Sequence, residues 1–277
     1  MSVRHIQGLG TALAMSALLL AAPSGTAVAA TPAIAAGIAV GLSFDQSLSM
    51  KQTVALFPTA KVARIFEHNL TPWGSSPLRA VPSTMQIWVS FTTLPSVVDS
   101  GAYNAAFAAI LQSWNASGRT IYWDWQHEAD DPSRHFTPSE ITKGWAQLLS
   151  VEHKYPSSRV KSMSIYEAFL LEPNHPHGNP DAWYVPADVL GFDTYLSSNE
   201  ARVMAYAKSK GKPWSMPETG HDAGDIADLA WMKSMVATYQ SYPPIGFAWY
   251  STSNPAAPDF SDPLEGLPRT LAYLRTL

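Results

Sequence analysis

The chain of 277 residues contains no cysteine. That excludes disulfide frameworks, thiol nucleophiles and cysteine-ligated zinc together. Charge is scarce as well: Asp, Glu, Lys and Arg supply 14% of the residues, the formal net charge is −4, and no basic run occurs. The electrostatic footprint of a nucleic-acid binder is therefore missing. No Gly-x-Ser-x-Gly elbow is present, which removes a serine hydrolase built on that elbow. No Gly-x-Gly-x-x-Gly follows the first expected strand, so a dinucleotide fold has no support.

Long apolar runs are also lacking, except near the start. Arg4 and His5 precede an apolar stretch, Leu9 to Ala22, that leads to Ala27-Val28-Ala29. This pattern reads as a secretory signal peptide over residues 1–30, with a membrane anchor as the alternative. No later segment offers about 18 uninterrupted apolar residues, so nothing else is expected to span a bilayer. Residues 31–277 then form a mature chain of roughly 245 residues, the size of a single (β/α)8 barrel. No linker, repeat or shift of composition divides it. A secreted chain without disulfides relies on its core, and this one is long enough to bury one.

What the chain has in quantity is aromatic surface: ten Trp and eleven Tyr. Neutral, hydroxyl-rich ligands such as sugars suit that surface better than ionic ones. Eight short apolar runs recur, at Gly37–Ser43, Lys61–Phe66, Met85–Phe91, Arg119–Asp124, Val160–Tyr166, Val189–Asp193, Pro213–Met216 and Ile245–Tyr250. Between several of them the apolar spacing becomes helical, giving expected helices at Gly101–Asn115, Thr137–Tyr155, Ala201–Lys210, Ala227–Tyr239 and Pro263–Leu277. Thr137-Pro-Ser-Glu140 carries both a capping box and a proline at the first helical position. Strands alternating with helices imply parallel strands with right-handed crossovers, and eight of them favour closure. The expected fold is α/β, a single (β/α)8 TIM barrel. Glu67–Thr84 and Glu172–Ala187, rich in Pro, Gly and Ser, replace regular helices with irregular loops after strands two and five.

Two strands run straight into a glutamate. Arg119-Thr-Ile-Tyr-Trp-Asp-Trp-Gln-His-Glu128 is the first and Lys212-Pro-Trp-Ser-Met-Pro-Glu218 the second. In Met216-Pro-Glu-Thr-Gly220 the proline fixes the chain and the glycine permits a sharp exit. Hydrolysing a glycosidic bond takes two carboxylates, one to protonate the leaving oxygen and one to attack or to activate water. The acid needs a raised pKa, and Trp123 and Trp125 are the expected apolar surround for Glu128. Each glutamate alone reads as well as an ion-pair partner or a turn cap. Paired at the ends of strands four and seven, they point to a glycosidase with Glu128 and Glu218 as its catalytic residues.

Arg64-Ile65 on strand two, His127-Glu128 after strand four, Phe192-Asp-Thr-Tyr195 after strand six and Pro213–Gly220 together resemble the clan of retaining (β/α)8 glycoside hydrolases. The His-Glu pair with the Asp-x-Tyr and Glu-Thr-Gly contexts is most similar to glycoside hydrolase family 26, which holds mannanases and lichenases. The resemblance runs from roughly Gly37 to Tyr250. It implies Glu128 as acid/base, Glu218 as nucleophile and a β-linked polysaccharide or oligosaccharide as substrate. It further implies that Arg64 and Tyr195 bond the nucleophile, that His127 orients the acid or touches substrate, and that Trp249 forms a sugar platform. Each has a packing alternative, and Trp249 is as readily core. Where family 26 usually has an apolar residue, Asn and Gly after the His-Glu pair, this chain has Ala129-Asp130-Asp131. A non-catalytic carbohydrate-binding barrel is thus an alternative.

A metal-dependent barrel hydrolase is a further alternative, with Asp124, His127, Asp130, His221 and Asp222 as conceivable ligands. His175 and His177 in the long fifth loop are weaker candidates. Among the tryptophans, Trp88, Trp114, Trp145 and Trp231 fall within strand or helix patterns and read as core. Trp73, Trp125, Trp183 and Trp214 lie in loops or near strand ends and are candidates for sugar stacking. The expectation is a secreted monomer using no cofactor and no metal.

Overall fold

The computed structural model describes residues 38–43, 50–176, 178–195, 199–221, 224–250 and 266–277. The expected signal segment, Gly37, His177, Asp222 and the start of the Pro263–Leu277 helix lie outside the described residues. Eight strands form a closed parallel barrel in sequence order, with β1 paired to β8. They are β1 (Ala39–Ser43), β2 (Val62–Glu67), β3 (Gln86–Phe91), β4 (Ile121–Trp125), β5 (Val160–Glu167), β6 (Val189–Asp193), β7 (Trp214–Thr219) and β8 (Gly246–Tyr250). All eight coincide with the apolar runs to within a few residues. Strands buried on both faces carry continuous apolar sequence, and such runs are easy to find.

Alternate residues of each strand face opposite ways. One set fills the barrel floor: Ala39, Val62, Trp88, Met163, Ile165, Val189 and Ala248 pack together as one buried cluster. Trp88 is its largest member, and the chain makes room for it at Gly246, where a Cβ would lie 3.1 Å from the indole. The other set faces the helices. Trp123 stacks on Trp145 at 5.1 Å, Trp214 meets Tyr239 at 4.9 Å, and Trp249 meets Trp231 at 6.1 Å. Burying each such ring contributes about 2–3 kcal/mol.

Among the described residues, five of eight α-helices match the apolar spacing apart from their ends, and three have no counterpart in it. α3 (Asn104–Ser117), α4 (Pro138–Glu152), α6 (Glu200–Lys210), α7 (Asp225–Tyr239) and α8 (Pro268–Leu274) match the expected segments. α1 (Met50–Leu56), α2 (Pro95–Asp99) and α5 (Pro180–Trp183) are the new ones. They are too short to show a period. The capping box forms at α4: the Glu140 N–H donates to Thr137 Oγ1, and Glu140 Oε2 accepts from the Thr137 N–H. The loop after β2 is irregular, as its composition implied, with two 3-10 turns at Trp73–Ser75 and Pro77–Ala80.

Candidate active site

Inner-face parity carries a few residues of each strand up into the C-terminal mouth of the barrel. On β2 the sequence Val62, Arg64, Phe66 shares the inner face. On β5 it is Met163, Ile165, Glu167, and on β6 Val189, Gly191, Asp193, with Glu167 and Asp193 paired in register. The mouth therefore begins where apolar floor residues give way to Arg64, Glu167 and Asp193.

β7 reaches the mouth by breaking its own alternation. Met216 pairs with Phe247 and Thr219 with Trp249, so one extra residue is inserted into β7 between those pairs. Met216 joins the outer core, and Thr219 Oγ1, which donates to Thr194 O at 2.8 Å, lies 3.7 Å from the sulfur of Met235 on α7. The two outward residues thus bracket Pro217 and Glu218, and Glu218 turns inward. A bulge next to a site re-aims a side chain in this way. Strict period-two reading would have left Glu218 against the helices.

β4 delivers its polar groups differently. Asp124 faces inward, accepting from Ser90 Oγ at 2.6 Å and from the Ile165 N–H at 3.2 Å. The chain then leaves the strand through two left-handed residues, Gln126 (φ 59°) and Glu128 (φ 50°). Such backbone is disfavoured for residues with a Cβ and concentrates at functional sites. It is held by hydrogen bonds: Gln126 N–H to Phe91 O, Gln126 Nε2 to Thr93 O, and Glu128 N–H to Ile165 O. His127 and Glu128 are thereby presented to the mouth together.

His127 is the hub of the site. Its Nε2 lies 3.3 Å from Glu128 Oε2 and 3.2 Å from Glu218 Oε1. Its Nδ1 lies 3.0 Å from Arg64 Nη2 and 3.4 Å from Asp193 Oδ2. A guanidinium only donates, so Nδ1 accepts and the ring proton sits on Nε2, between the two glutamates. Arg64, completely buried, also approaches Glu218 Oε1 at 3.5 Å. Tyr195 donates its hydroxyl to Glu218 Oε2 at 2.7 Å, so both oxygens of that carboxylate are held.

Electrostatics separates the acids. Burial pushes Glu128 up, but His127, Arg134 and Arg64 outweigh it and hold Glu128 below the usual glutamate value. Asp193 is driven well above the ordinary range by burial and then by Glu218 and Glu128. Asp124 is raised to about 6, chiefly by burial. Glu167 is raised to about 7 by burial, by Glu128 and by Asp131. Glu128 therefore does not sit in the apolar surround expected of Trp123 and Trp125, because both rings face the helices.

The tryptophan expectations need correction. Trp125 is fully buried: its indole N–H donates to Thr93 O at 2.7 Å, and its ring lies on Gly144 of α4. Trp249 is also fully buried, on the outer face against Trp231. Trp183 and Trp214 are buried too, and Trp73 rests beside the Arg119 guanidinium at 5.5 Å. The aromatics at the mouth are others. Phe66, 39% exposed, stands edge-on to His127 at 5.2 Å and under Arg64 at 4.2 Å. Tyr250, one residue beyond Trp249, faces Tyr195 at 6.0 Å. Phe66, Tyr250, Asp193 and Glu167 were missed, and inner-face parity was the signal that could have found them.

Of the five conceivable metal ligands Asp222 lies outside the described residues, and the other four do not assemble. Asp124 is tied to β3 and β5, Asp130 accepts from the Glu167 N–H at 3.2 Å, and His221 pairs with Asp228 at 2.9 Å. Among the described residues, only His127, Glu128 and Asp193 bring ligand-type atoms within 4.8 Å of one another. Arg64 already places a fixed positive charge on that histidine.

Solved structures share this architecture. A mannanase from Bacillus subtilis superposes with a TM-score of 0.51 at 12% identity, over 85% of this chain and 84% of that one. A GH26 β-mannanase from Bacteroides ovatus gives 0.51 at 14%, over 86% and 88%. GH26C from a Muricauda species gives 0.54 at 12%, over 86% and 84%. The likeness is one of fold. No protein-family model matches the sequence, and no curated protein does.

Proposed function

We propose that the protein is a secreted, retaining glycoside hydrolase that cleaves a β-linked polysaccharide or oligosaccharide, in the manner of an endo-β-mannanase or β-glucanase, with Glu128 as acid/base and Glu218 as nucleophile. One observation carries the reading: both carboxylates reach the same His127 Nε2 from opposite sides of the mouth. Sharing one atom at 3.3 and 3.2 Å keeps the two nearest oxygens within about 6.5 Å of each other, the short side of the range over which carboxylate pairs divide between retention and inversion. The fold shared with mannanases is consistent with it.

The steps follow from the contacts. Glu218 Oε1 or Oε2 attacks the anomeric carbon as the glycosidic C–O bond breaks, and Glu128 gives its proton to the departing oxygen. Glu128, now ionised, takes a proton from water, whose oxygen displaces Glu218 and releases the sugar. Arg64 and Tyr195 hold both oxygens of Glu218 and aim it, and a nucleophile fixed in this way needs little reorganisation during attack. Phe66 and Tyr250 offer ring faces to the sugar where Trp125 and Trp249 do not.

The proposal includes export through the 1–30 segment and action as a single copy without cofactor. The test is reducing-end release across a panel of β-mannans, β-glucans and envelope glycans, with wild type beside Glu128→Ala and Glu218→Gln. Release by wild type and its loss in both variants is expected. Binding to a glycan without any release by wild type would reject hydrolysis and identify a carbohydrate-binding barrel.

A further inference from the structure

The tip of β7 is held unevenly around Glu218. The bulge leaves Pro217 and Glu218 between the two residues that pair with β8, Met216 and Thr219. On the β6 side the grip is direct. Glu218 O accepts from the Thr194 N–H at 2.9 Å, and Thr219 Oγ1 donates to Thr194 O at 2.8 Å.

On the helix side the chain is caught three residues beyond Glu218, at His221. Its Nδ1 lies 2.9 Å from Asp228 Oδ1 on α7. A carboxylate accepts, so Nδ1 carries the hydrogen and donates it. The same ring stacks on Trp231, with centroids 5.4 Å apart and planes at 18°. Asp228 and Trp231 stand at i and i+3 on the buried face of α7, so one helix turn grips both the edge and the face of the imidazole. Trp231 also meets Trp249, and Trp249 pairs with Thr219. Thr219, Trp249, Trp231 and His221 thus close a circuit of contacts, completed through Gly220. Thr219 and His221 both reach α7, which puts His221 behind the nucleophile, on the helix side of the rim.

Asp228 is completely buried. A buried carboxylate is a poor way to stabilise a helix against a barrel, since an apolar residue of similar volume packs at less cost. Met232 and Met235 pack α7 in that way. What a hydrogen bond to a fixed oxygen adds is direction, because it leaves the imidazole one position on the indole.

We propose that the His221–Asp228 pair positions the nucleophile: it pins the exit of β7 to α7 and so fixes the bulge that turns Glu218 into the mouth. His221 is then a positioning residue that acts on Glu218 through Gly220 and Thr219. The inference rests on Glu218 being the nucleophile of the proposed reaction.

The experiment compares wild type with Asp228→Asn and with His221→Phe combined with Asp228→Leu. His221→Phe alone would leave a buried carboxylate short of a donor and endanger the fold. The double variant removes that charge, keeps a ring on Trp231, and should fold, because apolar replacement of a buried polar pair is often neutral or stabilising. Asp228→Asn keeps an oxygen for the Nδ1 hydrogen. On a substrate found by the panel, the double variant should lose about 10- to 100-fold in kcat with KM within about twofold, the order of cost that a small misplacement carries. Asp228→Asn should retain kcat within about threefold, and the loss in the double variant should be non-additive with Tyr195→Phe, since both act on one carboxylate. A packing role alone would move the melting temperature, leave the split between kcat and KM untouched, and add to Tyr195→Phe.

Hydrogen exchange of the Thr194 amide, which donates to Glu218 O, reads the same device without substrate. It should quicken at least about tenfold in the double variant, with the amides of β3 unchanged. Unchanged Thr194 exchange, or wild-type kcat in the folded double variant, would overturn the positioning role. Absence of any wild-type hydrolysis would instead reject the hydrolase reading, and the exchange measurement still decides whether the pair holds the β7 exit.

Discussion

Tyr195 and Glu218 meet at the mouth from the ends of the neighbouring strands β6 and β7, hydroxyl to Oε2 at 2.7 Å, while Oε1 of the same carboxylate faces Arg64 and His127. The bulge in β7 makes this meeting possible. Without the extra residue between Met216 and Thr219, Glu218 would lie on the helix side of the strand. Burial and the neighbouring carboxylates raise the Tyr195 hydroxyl well above its usual range, so it stays a donor.

Removing that donor gives the first prediction. A hydrogen bond to a charged group is worth about 1.5–3 kcal/mol, or roughly 10- to 100-fold in rate if it is realised in the transition state. Tyr195→Phe should lower kcat by that amount and leave the melting temperature within a few degrees. An unchanged kcat would mean that Tyr195 does not support the nucleophile.

The second prediction separates rings in the mouth from rings in the helix layer. Phe66→Ala should raise KM by about tenfold with little change in stability, since base–ring or sugar–ring stacking losses fall near 1–3 kcal/mol and Phe66 is 39% exposed. Trp249→Phe should do the opposite, lowering stability by about 1–2 kcal/mol through lost contact with Trp231, with KM unchanged. A large KM effect from Trp249→Phe would place that ring in the cleft after all.

The contrast between Phe66 and Trp249 shows where the sequence was readable. All eight strands stood out because continuous apolar runs mark strands buried on both sides. The same continuity hides which residues face inward. In Gly246-Phe-Ala-Trp-Tyr250 nothing in the residue types says that Ala248 and Tyr250 share one face and Trp249 the other. Trp249 near its strand end reads equally as platform or core, and nothing draws notice to its neighbour Tyr250. The placing of Glu128 and Glu218 at the mouth was legible because two apolar runs each lead into a glutamate, although either one alone reads as well as an ion-pair partner or a cap. Glu167 closes β5 in the same way but fell outside every expected element, since the expected strand stopped one residue earlier. α1, seven residues, and α2, five, were too short for helical period to register.

A third prediction concerns stability and pH. Glu152 on α4 is buried, accepts from the Trp123 indole N–H at 3.0 Å, and is raised from 4.5 to about 7 by burial and then by Asp188. The folded state therefore binds this proton more tightly than the unfolded chain. Its stability contribution is full below about pH 4.5 and is lost as pH rises through about 7. Glu152→Gln keeps an acceptor for Trp123 and cannot ionise. It should melt about 5 °C above wild type at pH 8, corresponding to about 2 kcal/mol, and show no such advantage at pH 4.5. Equal differences at both pH values would show that Glu152 is not ionised against a cost.

The fourth prediction tests how the β4 exit is braced. Gly144 lies under the Trp125 ring, and a Cβ there would overlap two ring carbons and sit 3.3 Å from Asp99 Oδ1. Alanine is the better helix former by about 1 kcal/mol, but overpacking against a fixed ring costs about 1–3 kcal/mol or more. The ring cannot easily yield, because its N–H is bonded to Thr93 O, the same carbonyl that holds the Gln126 side chain. Steric cost should win, and Gly144→Ala should be destabilising by about 2 kcal/mol. In a Trp125→Phe background the outer ring atoms are gone, so the same substitution should become neutral or favourable. A double-mutant cycle measures that coupling as non-additivity of the unfolding free energies. Additive effects would mean that α4 shifts to accommodate the methyl. Strong coupling, together with reduced kcat in Gly144→Ala alone, would show that the packing of Trp125 sets the position of His127 and Glu128 from outside the barrel.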